Sequence, residues 1–187
     1  MHEAHHYSTL EDGVLRCDLC PHRCVVKDGR DGLCGTRGNS GGKMVLNNYG
    51  RVSALHIDPI EKKPLYHFHP GARILSLGNN GCNLRCRFCQ NWQISQSTVP
   101  THEVTPDSLL RMVREHGLNL VAFTYAEPTI WYEYIMDCAR LLHAHGIKVV
   151  LVTNGYINPE PFEELQPFID AMNVDIKSMD DVFYKQL

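Results

Sequence analysis

Residues 73–89 read RILSLGNNGCNLRCRFC, a short apolar run followed at once by a loop with three cysteines. The run RILSLG lacks polar alternation, which is typical of a strand that is buried on both faces in a parallel sheet. The cysteines, Cys82, Cys86 and Cys89, follow a C-x3-C-x2-C spacing. The stretch predicts a metal site directly after a buried strand, with three thiolates where cysteine-bound metals usually take four.

The strand pattern is repeated after residue 71. LNLVAFTY at 118–125, IKVVLVT at 147–153 and AMNVDIK at 171–177 are further strand candidates, and helix patterns lie between them. Thr105-Pro106 and Asn158-Pro159 are helix start signals. The alternation predicts an α/β fold with right-handed crossovers, either an open sheet or a partial (β/α) barrel. Because only four strands are present and the last helix pattern stops after its first turns, we expect a C-terminal truncation.

We divide the chain into residues 1–70 and residues 71–187, because the first part is rich in glycine and cysteine. Residues 43–57, KMVLNNYGRVSALHI, predict a short hairpin with its turn at 47–50. The four cysteines of the first part are Cys17, Cys20, Cys24 and Cys34. Four thiolates would close a zinc site or a fully ligated iron–sulfur cluster, and reduced thiols that only pack are the alternative.

Composition excludes several classes of partner. The chain has 187 residues and a net charge of -3, which gives no electrostatic reason to expect nucleic acid. No apolar run approaches the roughly 18 residues of a membrane span. Seven of the eight cysteines lie in the two clusters, an arrangement typical of metal binding in the cytoplasm rather than of a disulfide framework. We expect the eighth, Cys138, to be a small core residue.

Polar residues follow each strand candidate, and the carboxyl ends of parallel strands meet at one edge of a sheet. The three-thiolate loop fits a [4Fe–4S] cluster that lacks its fourth protein ligand, since closed zinc sites take four. S-adenosylmethionine (SAM) can fill the open iron with its amino and carboxylate groups. One electron then splits a carbon–sulfur bond and gives an adenosyl radical, a reaction for which the cofactor supplies the chemistry. An incidental or zinc-binding cluster is the alternative.

Several motifs together resemble one family. CPHRC at 20–24, DPIEKKPLYHF at 58–68 and GCNLRCRFCQNWQISQ at 81–96 are similar to the AmmeMemoRadiSam-system radical SAM enzymes, which are related to pyruvate formate-lyase activating enzymes. The resemblance extends from Cys17 to Lys185. It implies a partial (β/α) barrel of the radical SAM type, a [4Fe–4S] cluster on the three cysteines of the loop, and SAM as the cofactor.

The resemblance also implies cofactor-binding residues. Glu127 matches the glutamate of a Gly-Gly-Glu-Pro motif that holds the methionyl amino group, although Tyr125-Ala126 replaces the glycines; a solvated glutamate at a helix start is the alternative. Asp175 and Lys177 match an Asp-x-Lys near the ribose and carboxylate, or form a surface ion pair.

Two further residues complete the predicted site. Thr153 matches a threonine at the third strand, where Val152 replaces an aspartate, so no cation site is expected there. Phe88 packs against the adenine or anchors the loop as a core residue.

The function that follows is a radical SAM enzyme that cleaves SAM reductively and abstracts hydrogen from an unknown substrate. It requires a one-electron donor such as a flavodoxin or ferredoxin, and the family name implies association with Memo-like and Ammecr-like proteins. Activation of a glycyl-radical enzyme is one alternative. A non-catalytic iron–sulfur or zinc protein that transfers electrons or binds a partner is another, and a fragment without the rest of its pocket would be inactive.

Overall fold

The structure is a computed structural model that describes residues 2–185. Its centre is a five-stranded sheet of mixed α/β type, flanked by three small sheets. The strands are β1 His2–Glu3, β2 Tyr7–Thr9, β3 Leu15–Cys17, β4 Val25–Val26, β5 Arg37–Ser40, β6 Lys43–Leu46, β7 Arg51–Val52, β8 Ala54–Pro59, β9 Arg73–Gly78, β10 His102–Glu103, β11 Leu120–Phe123, β12 Lys148–Thr153 and β13 Ala171–Val174. The helices are α1 Trp92–Ser95, α2 Pro106–Glu115, α3 Tyr132–His143, α4 Pro159–Leu165 and α5 Asp181–Tyr184.

The central sheet has the order β13-β12-β11-β9-β8. The four strands β9, β11, β12 and β13 are parallel and neighbour one another in chain order, as the sequence predicts. β8 closes the other edge and runs antiparallel to β9 over six residue pairs. Since right-handed crossovers between sequential parallel strands place the connecting helices on one face, the opposite face is left for other segments.

Both faces of the sheet are buried at its central strands β9, β11 and β12. Leu77, Phe123 and Leu151 belong to the large core that includes the buried sides of α2 and α3. Ile74 and Val150, on the opposite face, belong to a smaller apolar cluster. Side chains alternate between the faces of a strand, so an almost continuously apolar sequence is what a sheet covered on both sides requires. Cys138 in α3 is fully buried, which confirms the prediction that it is a core residue.

The helix start signals have different outcomes. Thr105 caps α2, because its Oγ1 accepts a hydrogen bond from the backbone N–H of Ser108 at 3.2 Å. Asn158 precedes α4 as predicted, but its side chain makes no capping hydrogen bond. The Asn158 amide instead donates to the carbonyl of Asp18 at 2.6 Å and ties α4 to the N-terminal segment.

The predicted hairpin over residues 43–57 is wrong in its pairing. β6 pairs with β5 and β1, whereas β7 pairs with β10 and β8 pairs with β9. The observed hairpin lies one strand earlier, and its loop is Gly41-Gly42, with φ values of 63° and 81°. Two consecutive glycines at positive φ suit the twisted two-residue loops that connect antiparallel strands, and they outweigh the turn signal at residues 47–50.

The two parts of the chain share this sheet and a buried ion pair. β8 comes from residues 1–70 and pairs with β9 of the second part. Arg37 in β5 donates from Nη1 to both carboxylate oxygens of Glu133 in α3, at 2.9 Å each. The division of the chain into residues 1–70 and residues 71–187 stays a prediction. Within residues 2–185, no helix combines the length and the apolar character needed to span a membrane.

Candidate active site

The three-cysteine loop leaves the carboxyl end of β9 and is held against the N-terminal segment. Gly81, just before Cys82, has a φ of 98°, and a Cβ there would lie 2.5 Å from the carbonyl oxygen of Cys34. Only glycine fits this close approach without strain. The Arg85 guanidinium donates to the Cys82 carbonyl at 3.0 Å, and the Gln96 amide donates to the Cys86 carbonyl at 2.8 Å. These bonds fix the loop backbone while leaving the cysteine side chains to the pocket.

Among the cysteines of the loop, Cys86 is buried, whereas Cys82 and Cys89 are half-buried. Burial raises the pKa of Cys82 to about 12, and burial also raises the pKa of Cys86 against the opposing effect of the Lys177 ammonium. The Cys89 sulfur lies 3.2 Å from the Ser95 hydroxyl. Within residues 2–185, no three side chains of His, Cys, Asp or Glu are already arranged to hold a metal ion. A metal that bound here would displace the thiol protons and draw the sulfurs together.

A pocket of about 660 Å³ lies beside the loop, at the carboxyl ends of the parallel strands. Its size is within the range of small-molecule and cofactor sites. All eight residues predicted for the site line this one pocket: Cys82, Cys86, Phe88, Cys89, Glu127, Thr153, Asp175 and Lys177. The first and last of them, Cys82 and Lys177, are more than ninety residues apart in the sequence. The topology of the sheet is therefore what brings the eight residues together.

Glu127 is buried and is held entirely by neighbouring strand ends. Its Oε1 accepts from the Thr129 N–H at 2.9 Å, the Thr129 hydroxyl at 2.7 Å and the Thr153 hydroxyl at 2.6 Å, and its Oε2 accepts from the Asn154 N–H at 2.8 Å. Burial raises the pKa of Glu127, although these donors favour the ionised form. The alternative of a solvated glutamate is wrong. The carboxylate links the end of β11 to the end of β12.

Two asparagines that sequence reasoning missed continue this link to the cysteine loop. The Asn154 side-chain amide donates to Asn83 Oδ1 at 2.9 Å and lies 3.9 Å from the Cys82 sulfur. The Asn83 amide in turn donates to the carbonyl of Tyr156 at 2.8 Å. An asparagine inside the C-x3-C spacing and another directly after a strand were the available signals. Glu127, Asn154 and Asn83 therefore join β11, β12 and the loop into one hydrogen-bonded unit.

Asp175 and Lys177 form the predicted ion pair, and the pair lies on the wall of the pocket. Lys177 Nζ lies 2.9 Å from Asp175 Oδ2, so they form an ion pair, and both side chains line the pocket. Burial acts against the ammonium form, but the hydrogen bond to Asp175 and the charges of Asp175 and the nearby cysteines together outweigh it and raise the pKa of Lys177. The pair sits on the same side of the pocket as Cys86, whose thiol feels the Lys177 charge.

Phe88 lies at the pocket mouth rather than in the core. It is 57% exposed, and its ring stacks with Phe183 at a centroid distance of 6.1 Å. The alternative in which Phe88 anchors the loop as a core residue is wrong, because no apolar core surrounds it. A half-exposed aromatic ring on a pocket wall is suited to stacking against a planar ligand.

Part of the pocket wall is formed by Tyr125 and by residues 62–64 of the DPIEKKP stretch. Lys63 is 1% exposed, and its Nζ lies 2.7 Å from Asp58 Oδ2 and 4.5 Å from the centre of the Tyr125 ring. Lys62 binds the other Asp58 oxygen at 2.9 Å. Tyr125 has a φ of 71°, in the left-handed region that favours glycine. The loop after β11 thus keeps a glycine-type backbone at the position where Tyr125 replaces the first glycine of the Gly-Gly-Glu-Pro motif.

Comparison with known proteins gives a consistent result. A family model of the Radical SAM superfamily matches residues 77–187. An uncharacterised protein of Methanocaldococcus jannaschii is 43% identical over the whole of this chain and 56% of its own length. The pyruvate formate-lyase-activating enzyme of Staphylococcus epidermidis is 30% identical over 60% of this chain and 49% of its own length. The enzyme of the same name from Clostridium pasteurianum is 31% identical over 56% of this chain and 46% of its own length.

The chain thus spans about half the length of the relatives that it matches. The family match begins at Leu77, near the end of β9, and includes the cysteine loop and the strands β11 to β13 that line the pocket.

Proposed function

The chain belongs to the Radical SAM superfamily and is homologous to pyruvate formate-lyase-activating enzymes, and we propose that Cys82, Cys86 and Cys89 hold a [4Fe–4S] cluster with one iron open to SAM. The family implies both the cluster and SAM. The observation that supports the assignment to these residues is that their thiols line one pocket with five other predicted cofactor residues. The space of about 660 Å³ suits a cluster and a nucleoside side by side.

In this proposal some of the pocket residues contact SAM directly and others hold the pocket in shape. Lys177 and Asp175 offer an ammonium and a carboxylate to the polar groups of SAM, and the exposed ring of Phe88 offers a stacking surface to the adenine. Glu127 and Thr153 act indirectly, because their polar atoms are engaged with each other and with Asn154. They hold the strand ends at fixed positions around the cofactor. When bound, the cluster and SAM supply reductive cleavage of a sulfonium carbon–sulfur bond and abstraction of a hydrogen atom from the substrate.

The wider context of the reaction is also part of the proposal. Reduction requires a one-electron donor such as a flavodoxin or ferredoxin, and the cytoplasm is where such cysteine clusters stay reduced. We place the chain in the AmmeMemoRadiSam branch on its CPHRC and DPIEKKPLYHF motifs, with Memo-like and Ammecr-like proteins as partners. The sheet is the start of a partial (β/α) barrel. The N-terminal cysteines bind a second metal, as zinc or as an iron–sulfur cluster.

A second candidate function is activation of a glycyl-radical enzyme, in which a backbone glycine of a protein partner gives up the hydrogen atom. Two relatives are named as pyruvate formate-lyase-activating enzymes, and a name that gives another enzyme as the target supports this candidate. The two candidates share the SAM chemistry and differ in the molecule that loses hydrogen. Transfer of deuterium from an α-deuterated glycine peptide into 5′-deoxyadenosine would favour the second.

The test of the proposed function is anaerobic reconstitution with iron and sulfide, followed by SAM and dithionite. We expect the optical spectrum of the cluster to change on addition of SAM, and 5′-deoxyadenosine to accumulate. Cys86→Ala should form no 5′-deoxyadenosine, whereas Cys138→Ala, which alters a buried thiol in α3 away from the pocket, should retain the activity. A fully assembled cluster whose spectrum ignores SAM would refute the open-iron proposal.

A further inference from the structure

The four N-terminal cysteines line a single small cavity, although they are spread over eighteen residues. Cys17 ends β3, Cys20 and Cys24 lie in the turns that follow, and Cys34 precedes β5. The cavity that they share has a volume of about 10 Å³, and Leu19 and Arg37 are among its other lining residues. Within residues 2–185 the cysteines make no disulfide, so all four thiols are available to a ligand.

A buried arginine with an unpaired donor faces the same cavity. Arg37 lines the cavity and is 1% exposed; its Nη1 donates to Glu133 and its Nη2 donates to the carbonyl of His5. Its Nε has no hydrogen-bond partner. An unsatisfied buried N–H on a charged group is costly, and a nearby anionic sulfur would remove that cost. A tetrathiolate site carrying a divalent ion has a net negative charge that this guanidinium would offset.

The size of the cavity distinguishes between the metals that four thiolates can hold. The space of about 10 Å³ is close to the least that admits a single water molecule, so it suits one ion rather than a cubane of iron and sulfide. His22 also lines this cavity, and its Nε2 lies 2.6 Å from the carbonyl oxygen of Asn83.

We propose that Cys17, Cys20, Cys24 and Cys34 bind one zinc ion in a closed tetrahedral site, and that this site braces the three-cysteine loop. Binding replaces each thiol proton with a zinc–sulfur bond, and the protons pass to solvent. The sulfurs must rotate toward one another, since they are not yet arranged as a ligand cluster. The charge of Arg37 beside them stabilises the thiolates that result.

Three contacts connect the zinc site to the loop. Gly81 packs against the carbonyl of Cys34, the Arg85 guanidinium donates to the carbonyl of Leu33 as well as to that of Cys82, and His22 bonds the carbonyl of Asn83. The residues that flank two of the zinc ligands therefore support the loop backbone on one side. Removal of the ion would release this support, because the turns around Cys20 and Cys24 have little apolar core of their own.

The metal content of a Cys82→Ala/Cys86→Ala/Cys89→Ala variant tests the proposal independently of the radical chemistry. We expect one zinc and no iron per chain, and loss of that zinc when Cys20→Ala is added. Cys138→Ala, added instead, should retain the zinc. Substitution of zinc by cobalt should give the ligand-field spectrum of a tetrahedral thiolate site. Iron in place of zinc, no metal, or zinc that survives Cys20→Ala would overturn the proposal.

Amide hydrogen exchange of the wild-type chain tests directly whether the zinc ion supports the three-cysteine loop. Removal of zinc by a chelator should speed amide exchange at residues 81–85, while exchange in α2, which makes none of the three contacts to the loop, stays unchanged. Equal exchange at 81–85 with and without zinc would show that the ion does not support the loop. Because the readout is local, an effect on the whole protein is recognised by faster exchange in α2.

Discussion

Replacing Glu127 by glutamine tests whether this carboxylate anchors the strand ends or is free to bind the cofactor. Glutamine has the same shape, and its oxygen can still accept from Thr129 and Thr153. Its NH₂ group, however, would face the backbone N–H of Asn154, which now donates to Oε2 at 2.8 Å. Two donors would then oppose each other in a site that is 2% exposed.

The size of the effect follows from the bonds that change. Loss of one hydrogen bond to a charged group costs about 1.5–3 kcal/mol, and a buried N–H without a partner costs about 1–3 kcal/mol. Relief of a buried charge offsets part of this, so we expect the free energy of unfolding to fall by about 2–4 kcal/mol. With a urea m-value of about 2 kcal/mol/M, the midpoint should fall by roughly 1–2 M.

The assay is urea unfolding followed by circular dichroism, together with SAM affinity of the reconstituted protein. Glu163→Gln, at an exposed position in α4, is the matched control and should change stability by less than about 0.5 kcal/mol. We expect Glu127→Gln to lower both stability and SAM affinity. A variant that binds SAM weakly but unfolds at the wild-type urea concentration would refute the anchoring role and favour direct contact with the methionyl amino group.

Three further changes have defined outcomes. Glu133→Gln leaves the Arg37 charge buried without its carboxylate partner, so the free energy of unfolding should fall by about 3–5 kcal/mol in urea melts. Burial acts to raise the pKa of Asp58, but hydrogen bonds from Lys63, Tyr125 and Lys62 outweigh it and hold the pKa well below 3.8. The stability that this group contributes is therefore present above pH 3.8 and is lost at lower pH. Asp58→Asn should make the free energy of unfolding fall less steeply as the pH is lowered through the acid range. Lys177→Met removes one charged contact to SAM and should weaken its binding roughly 10- to 100-fold by calorimetry, while Lys185→Met, an exposed control, should bind normally.

The four parallel strands could be predicted from the sequence, because each is a short, almost fully apolar run with a helix pattern after it. The sequence also predicted that the eight candidate site residues lie at one edge of the sheet, since the carboxyl ends of parallel strands meet there. The hairpin was misplaced because two turn signals competed, and only the structure shows that the glycine pair at 41–42 connects paired strands.

The surroundings of individual side chains were harder to predict from the sequence than the strands were. The burial of Glu127 depends on Thr153 and Asn154, which are 26 and 27 residues away, and nothing local in Ala-Glu-Pro indicates them. Lys63 pairs with the nearby Asp58, but it also packs against the ring of Tyr125, which follows a different strand. Long-range hydrogen bonds of this kind follow from tertiary packing, whereas spacing and periodicity report on local structure.

Electron–nuclear double resonance of the reduced cluster, with SAM labelled with ¹⁵N at its amino group, observes the fourth iron itself. Direct coordination should give a hyperfine coupling between the cluster and the label in wild type, and no such signal in Cys86→Ala. A complete, reduced wild-type cluster that shows coupling only to protein nuclei would mean that another side chain occupies that iron, and the proposed chemistry would not apply.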